Sequence, residues 1–320
     1  MTMHTTRSFR ASALAFVGAT LFVSACGGSG DTATGDSASV TINLDAAPAK
    51  ATGITGLSTP ESALYDAVRD VWYISNIDGV PNDLDNNGYI TKVSGDLAKV
   101  DTFFISGGSA GTTLNGPKGM ALQGDTLWVA DINAVRGFNV VSGMEVAVVN
   151  VDGAVFLNDI AASPDGSLYI SDTGIKFAAA GMTHPGPDRI FKLAGRTISE
   201  VLRFDGAPGP NGLLFGRDGR LIIVPFTART ISAWTAGAPA ADSIASGPGG
   251  YDGIAQLADG RILVTSWTDS TVHVLANGAL TPFIKGVPAP ADIGVDTQRG
   301  HVAVPIFEQN RVEFWKVAGN

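Results

Sequence analysis

Residues 210–225 read PNGLLFGRDGRLIIVP, and residues 251–266 read YDGIAQLADGRILVTS. Each holds a short apolar run, an Asp-Gly turn signal and a second apolar run, which is the pattern of a two-stranded hairpin. The pattern recurs on both sides of this pair. Residues 60–75 read PESALYDAVRDVWYIS, 117–131 PKGMALQGDTLWVAD, 157–172 LNDIAASPDGSLYISD and 290–305 PADIGVDTQRGHVAVP. Superposing the apolar positions puts Glu61, Lys118, Asn158, Asn211, Asp252 and Ala291 at one repeat position, spaced 39 to 57 residues apart. That interval is close to the length of a four-stranded propeller blade.

A third strand follows each hairpin, at Tyr89–Lys92, Arg136–Val140, Arg189–Leu193, Thr230–Trp234, Thr271–Leu275 and Arg311–Val317. A fourth follows five of them, for example at Val100–Ile105, Glu145–Val149 and Ser199–Phe204. The sixth copy runs out of chain, so its open edge needs a partner. Val40–Leu44 alternates suitably and is expected to pair with Arg311–Val317. The reading is an all-β chain, a six-bladed β-propeller over residues 40–320.

Of the 320 residues 45% are hydrophobic and 16% charged, with 40 Gly and 16 Pro, a balance that favours short strands and tight turns over long solvated helices. A net charge of −9 offers nothing for a phosphate backbone to bind, so no nucleic-acid partner is expected. One cysteine excludes a disulfide framework or a Cys-based zinc site. Residues 1–25 have a basic start with Arg7 and Arg10, then an apolar run of fifteen residues, which is the anatomy of a signal peptide. Val23-Ser24-Ala25-Cys26 resembles a bacterial lipobox, with Cys26 as the lipidated residue, and residues 26–39 form a Gly/Ser-rich tether. The expectation is an extracytoplasmic monomer that meets the membrane through a lipid anchor only. The outer membrane, facing the periplasm, is its expected place.

In a propeller the first strand of each blade lines the axis, so the repeat position becomes a ring. Glu61, Asn158, Asn211 and Asp252 then converge as four hard oxygen donors with two charges, which suits Ca²⁺ or another divalent cation such as Zn²⁺, Mg²⁺ or Mn²⁺. Lys118 at the same position either turns out to solvent or meets an anionic substrate group as a point charge.

The motifs Pro60-Glu61, Asn158-Asp159, Asn211-Gly212 and Asp252-Gly253 resemble those of the senescence-marker-protein and gluconolactonase superfamily of six-bladed propellers. The chain departs from that pattern at Ser62-Ala63, where Gly-Pro is common. The resemblance implies a metal-dependent hydrolase of a lactone or related ester acting on a small-molecule substrate. It makes Glu61, Asn158, Asn211 and Asp252 metal ligands, and Asp252 the base or nucleophile. Asp159 is a second candidate base, while Asn158 and Lys118 are placed to touch substrate. The competing class is a non-catalytic binding propeller with a structural ion.

Three weaker signals are read as scaffolding or loop. Asp83–Ser94 begins like an EF-hand loop but has Ser at its twelfth position. Gly107–Gly111 matches a nucleophile elbow without a following helix. The Gly- and Pro-rich segment Lys176–Asp188, with His184, is expected to be a lid.

Overall fold

The computed structural model describes residues 47–317 except 110, 179 and 180. The signal segment, Cys26, the tether and Val40–Leu44 lie outside the described residues. Six four-stranded antiparallel sheets follow one another along the chain, and a two-stranded hairpin, Lys176–Ala178 with Gly181–Thr183, projects from the third. The inner strands are Pro60–Asp66, Pro117–Gln123, Leu157–Ala162, Pro210–Phe215, Tyr251–Gln256 and Gly294–Asp296. Each lies beside the inner strands of its two neighbours, and the last lies beside the first. The chain is a six-bladed β-propeller.

The core is divided into six apolar clusters, one at each contact between adjacent blades. This explains the composition of the second strands. Ile262–Ser266 (ILVTS) and His301–Ile306 (HVAVPI) are rich in β-branched residues and bury both faces, because each strand has a blade on either side. The Asp-Gly signals form the hairpin turns. Gly166, Gly219 and Gly260 take positive φ, and the preceding Asp165, Asp218 and Asp259 accept the backbone N–H groups of Ser167, Arg220 and Arg261.

The ring closes between blades 6 and 1, but not with the expected strand. Ala49–Thr55 supplies the outer strand of blade 6 and pairs antiparallel with Arg311–Lys316, from Ala49 opposite Lys316 to Thr55 opposite Arg311. Val40–Leu44 was favoured by its alternation, yet the observed strand, AKATGIT, is exposed along almost its whole length and needs none. Backbone bonding holds it, together with the Lys50 Nζ to Glu313 Oε1 ion pair at 2.5 Å. Trp72 of blade 1 packs edge-on against Phe314 of blade 6, with ring centroids 5.4 Å apart, behind the same joint. A chain that starts at Ala47 should therefore keep the midpoint of the full-length protein. One that starts at Gly56 should lose about 3–6 kcal/mol, roughly 1 kcal/mol for each ladder bond. Denaturant unfolding of the pair is the check, and equal midpoints would refute this closure.

Candidate metal centre

The ring is built by a repeated irregularity. In blades 2 to 5 the pairing of first and second strands slips by one residue at the ring position: Leu157 faces Asp172, but Ile160 faces Ile170. Blade 1 slips at the same place, between Pro60 and Ser62. Such a bulge turns a side chain out of the pleat and leaves an N–H without a ladder partner. Hydroxyls from the second strands take up that donor in three blades. Ser75 Oγ accepts from Ser62 N at 2.9 Å, Ser171 Oγ from Asp159 N at 2.9 Å and Thr265 Oγ1 from Gly253 N at 2.7 Å.

The residue after the ring position explains the Asn-Gly and Asp-Gly motifs. A Cβ on Gly212 would run into the Asp252 carbonyl of the next blade, and one on Gly253 into the backbone of Asp292. These glycines let neighbouring inner strands approach closely enough to bring their side chains to one axis.

Glu61, Lys118, Asn158, Asn211 and Asp252 line a single narrow cavity, and all five are buried. Ala291 does not join them. Asn158 donates Nδ2 to Thr173 Oγ1 at 3.1 Å, and that hydroxyl is already spent on the Pro210 carbonyl, so the amide orientation is fixed with Oδ1 free. Asn211 Nδ2 donates to Asp252 Oδ1 at 3.3 Å. Asn158 Oδ1 and Glu61 Oε2 are buried oxygens with no hydrogen-bond partner. Buried acceptors are seldom left this way, and two of them in one oxygen-only set with two carboxylates fit a hard divalent cation. Among the described residues no three His, Cys, Asp or Glu are placed to hold a metal ion by themselves, so the set depends on its two amides.

The charges in this cavity strain one another. Burial, and then repulsion from Asp252, hold the Glu61 pKa well above the carboxylate range. Burial pushes Asp252 up to about 7; the Trp267 indole N–H and Asn211 pull it back, although the indole does not reach full hydrogen-bond geometry. Of the two placements open to Lys118, the structure has the inward one. Its Nζ donates to the Gly116 carbonyl at 2.7 Å and lies 4.3 Å from the centre of the Phe156 ring, and burial lowers its pKa to about 8.

Asp159, the second candidate base, is next to Asn158 in sequence but lines a different cavity with Ser62 and Asp292. Its carboxylate accepts from Leu213 N and Ile160 N, both at 2.6 Å, and burial raises its pKa to about 6. Sequence reading missed Asp292, which accepts a 2.6 Å bond from Ser62 Oγ, because the alignment centred on its neighbour Ala291. It also missed the aromatic cavity walls. Their signal was present: Ile77, Phe226, Trp267 and Phe307 each directly follow a second strand.

The weaker motifs are structural. Asn86, in the EF-hand-like stretch, accepts from Leu114 N at its Oδ1 and donates its own backbone N–H to Asn115 Oδ1, which ties two connections together. Gly107 and Gly108 belong to the connection that leads to Leu114 and Asn115, and Ala110 lies outside the described residues. His184 Nε2 lies 2.6 Å from Asp188 Oδ1 at the base of the projecting hairpin. Phe177, on that hairpin, reaches the cavity and donates its N–H to Asn82 Oδ1 at 2.7 Å.

No family model and no curated protein matches the chain by sequence. Among solved structures it is similar to a gluconolactonase from Xanthomonas campestris, with TM-score 0.60 and 16% identity over 85% of this chain and 95% of that one. Regucalcin, a calcium-binding protein from Agrobacterium tumefaciens, aligns with TM-score 0.60 and 14% identity over 88% and 94% of the two chains. Virginiamycin B lyase from Staphylococcus aureus aligns with TM-score 0.58 and 12% identity over 83% and 98%. These neighbours share the fold, and their differing names leave the chemistry to the site.

The raised carboxylates set a pH dependence. Asp252 unfolded titrates near 3.9 and folded at about 7, so the folded chain holds the extra proton between these values. Stability without a divalent ion should therefore fall as pH rises from about 4 through about 7. Ca²⁺ should raise Tm more at pH 8, where protons no longer compete, than at pH 5, and Glu61→Gln should shrink the pH 8 gain. Thermal scans with Ca²⁺ and with chelator test this, and equal gains at both pH values would leave the four donors without a cation.

Proposed function

We propose that the protein is a metal-dependent hydrolase that opens a lactone or related ester, with Ca²⁺ as the first candidate ion. The observation that carries this reading is the pair of unpartnered buried oxygens, Glu61 Oε2 and Asn158 Oδ1, in the same cavity as the Asp252 carboxylate. Glu61, Asn158, Asn211 and Asp252 would hold the ion, which would supply Lewis acidity to the scissile carbonyl. Asp252 takes the proton of the attacking water, and a carboxylate poised near neutrality is matched to that task. Asn158 and Lys118 orient the substrate, Lys118 as a fixed positive charge held by the Gly116 carbonyl. Asp159 faces the other cavity with its oxygens occupied, so Asp252 is the stronger candidate base.

A second reading, a non-catalytic binding propeller, draws support from Lys118 itself. A buried ammonium beside Glu61 opposes a cation in the same ring. A screen of lactones, esters and phosphotriesters with added Ca²⁺, Zn²⁺, Mg²⁺ or Mn²⁺ separates the two. Asp252→Asn should lower kcat by about 10²-fold or more through loss of a charge and a proton acceptor. Full activity in that variant, with metal content unchanged, would remove Asp252 as the base, and a metal-loaded wild type that turns over no substrate of the screen would put the binding reading first.

The extracytoplasmic setting is part of the same proposal, with Cys26 as the site of lipid attachment and the outer membrane as its location. Among the described residues no helix is long and apolar enough to cross a membrane. Cys26→Ser should abolish incorporation of labelled palmitate, and equal labelling of variant and wild type would refute the anchor.

A further inference from the structure

The wall above the donor ring has a register of its own. Ile77, Phe226, Trp267 and Phe307 occupy equivalent positions in blades 1, 4, 5 and 6, and all four line the cavity. Phe226, Trp267 and Phe307 form a continuous arc, with successive ring centroids 5.4 and 5.3 Å apart. Phe156 and Phe177, 5.7 Å apart, form a second aromatic pair in the lining. Every charged or amide side chain of the cavity belongs to the ring at its floor. Among the described residues, the one polar side-chain group in the wall is the Trp267 indole N–H, beside Asp252. Outside the cavity, the loop bearing Val80 and Leu84 is joined to the hairpin bearing Met182 by the Asn82–Phe177 bond. All three apolar side chains are exposed, Leu84 at 62%.

A polyhydroxylated ring placed here would bury several hydroxyls against aromatic faces that cannot replace their water, and each hydroxyl left without a partner costs free energy. An alkyl or aryl arm would lose only water. We propose that this site takes hydrophobic lactones or esters, with the carbonyl at the donor ring and an apolar arm along the aromatic wall, in preference to sugar lactones. The inference rests on the hydrolase reading of the same cavity and adds the substrate class to it.

The test uses full-length protein in nanodiscs with Ca²⁺, on δ-hexalactone, δ-octalactone and δ-decalactone against δ-gluconolactone. Binding of 2-alkylcyclohexanones of matching chain length, which cannot be hydrolysed, is followed by calorimetry. Complete burial of each added CH₂ is worth about 0.8 kcal/mol, so kcat/KM should rise up to about fourfold per CH₂ and exceed that for gluconolactone. Phe226→Ala, and Phe177→Ser on the projecting hairpin, should flatten that slope; partitioning into lipid is common to variant and wild type and cancels. Hydrolysis that favours gluconolactone, or shows no chain-length slope, overturns the hydrophobic class and leaves the hydrolase reading standing. Chain-length-dependent ketone binding without any hydrolysis upholds the hydrophobic cavity and overturns the hydrolase reading. Neither binding nor hydrolysis overturns both.

Discussion

The close approach of neighbouring inner strands is the constraint on which the site depends. A side chain can reach the axis only if its strand leaves the regular pleat, and five blades make that departure at the same repeat position. The strands can crowd together only where there is no Cβ between them, as at Gly212 and Gly253. The hydroxyls of Ser75, Ser171 and Thr265 then satisfy the donors that the irregularity frees. Fold and site thus share one local device: the bulge that opens five of the six blades also aims their ring residues.

Crowding has an electrostatic result. Glu61 and Asp252 are gathered in the cavity, and Asp159 and Asp292 lie near enough to raise their proton affinity. Buried like charges of this density call for protons, a cation or both. Lys118 offsets part of the repulsion, and the Phe156 face and Gly116 carbonyl replace part of the water it lost. The site is therefore tuned by burial more than by any single ion pair.

How much of this was legible follows from how strongly each feature repeats. The six hairpins, the third strands and the ring position recur with a common pattern, and the structure returns them within a few residues. The ring residues Glu61, Asn158, Asn211 and Asp252 do line one cavity. The closing strand was placed several residues too early because a solvent-exposed edge strand carries no alternation to read. The sequence leaves Lys118 open between solvent and the channel because a buried ammonium is unusual, and the groups that shelter it come from a turn and from another blade. Asp159 looked like a neighbour of the metal set because adjacency in sequence ignores which side of a bulged strand a residue leaves from. The aromatic wall had a periodic signal, but it lies one residue past the strands, in positions usually read as loop.

The strand that completes blade 6 also sets an order of events. Ala49–Thr55 is synthesised before every other strand of the propeller, and its partner Arg311–Lys316 after all of them. The intervening blades rely on local hairpins and form early, whereas the lock joins segments separated by nearly the whole domain and must form late. Until then the first strand waits unpaired, and its sequence, AKATGIT, is polar and glycine-containing, poor material for pairing with a wrong edge. Once engaged, it makes blade 6 the one four-stranded sheet whose strands come from both ends of the propeller, so the ring is held shut by a pairing that no local hairpin can replace.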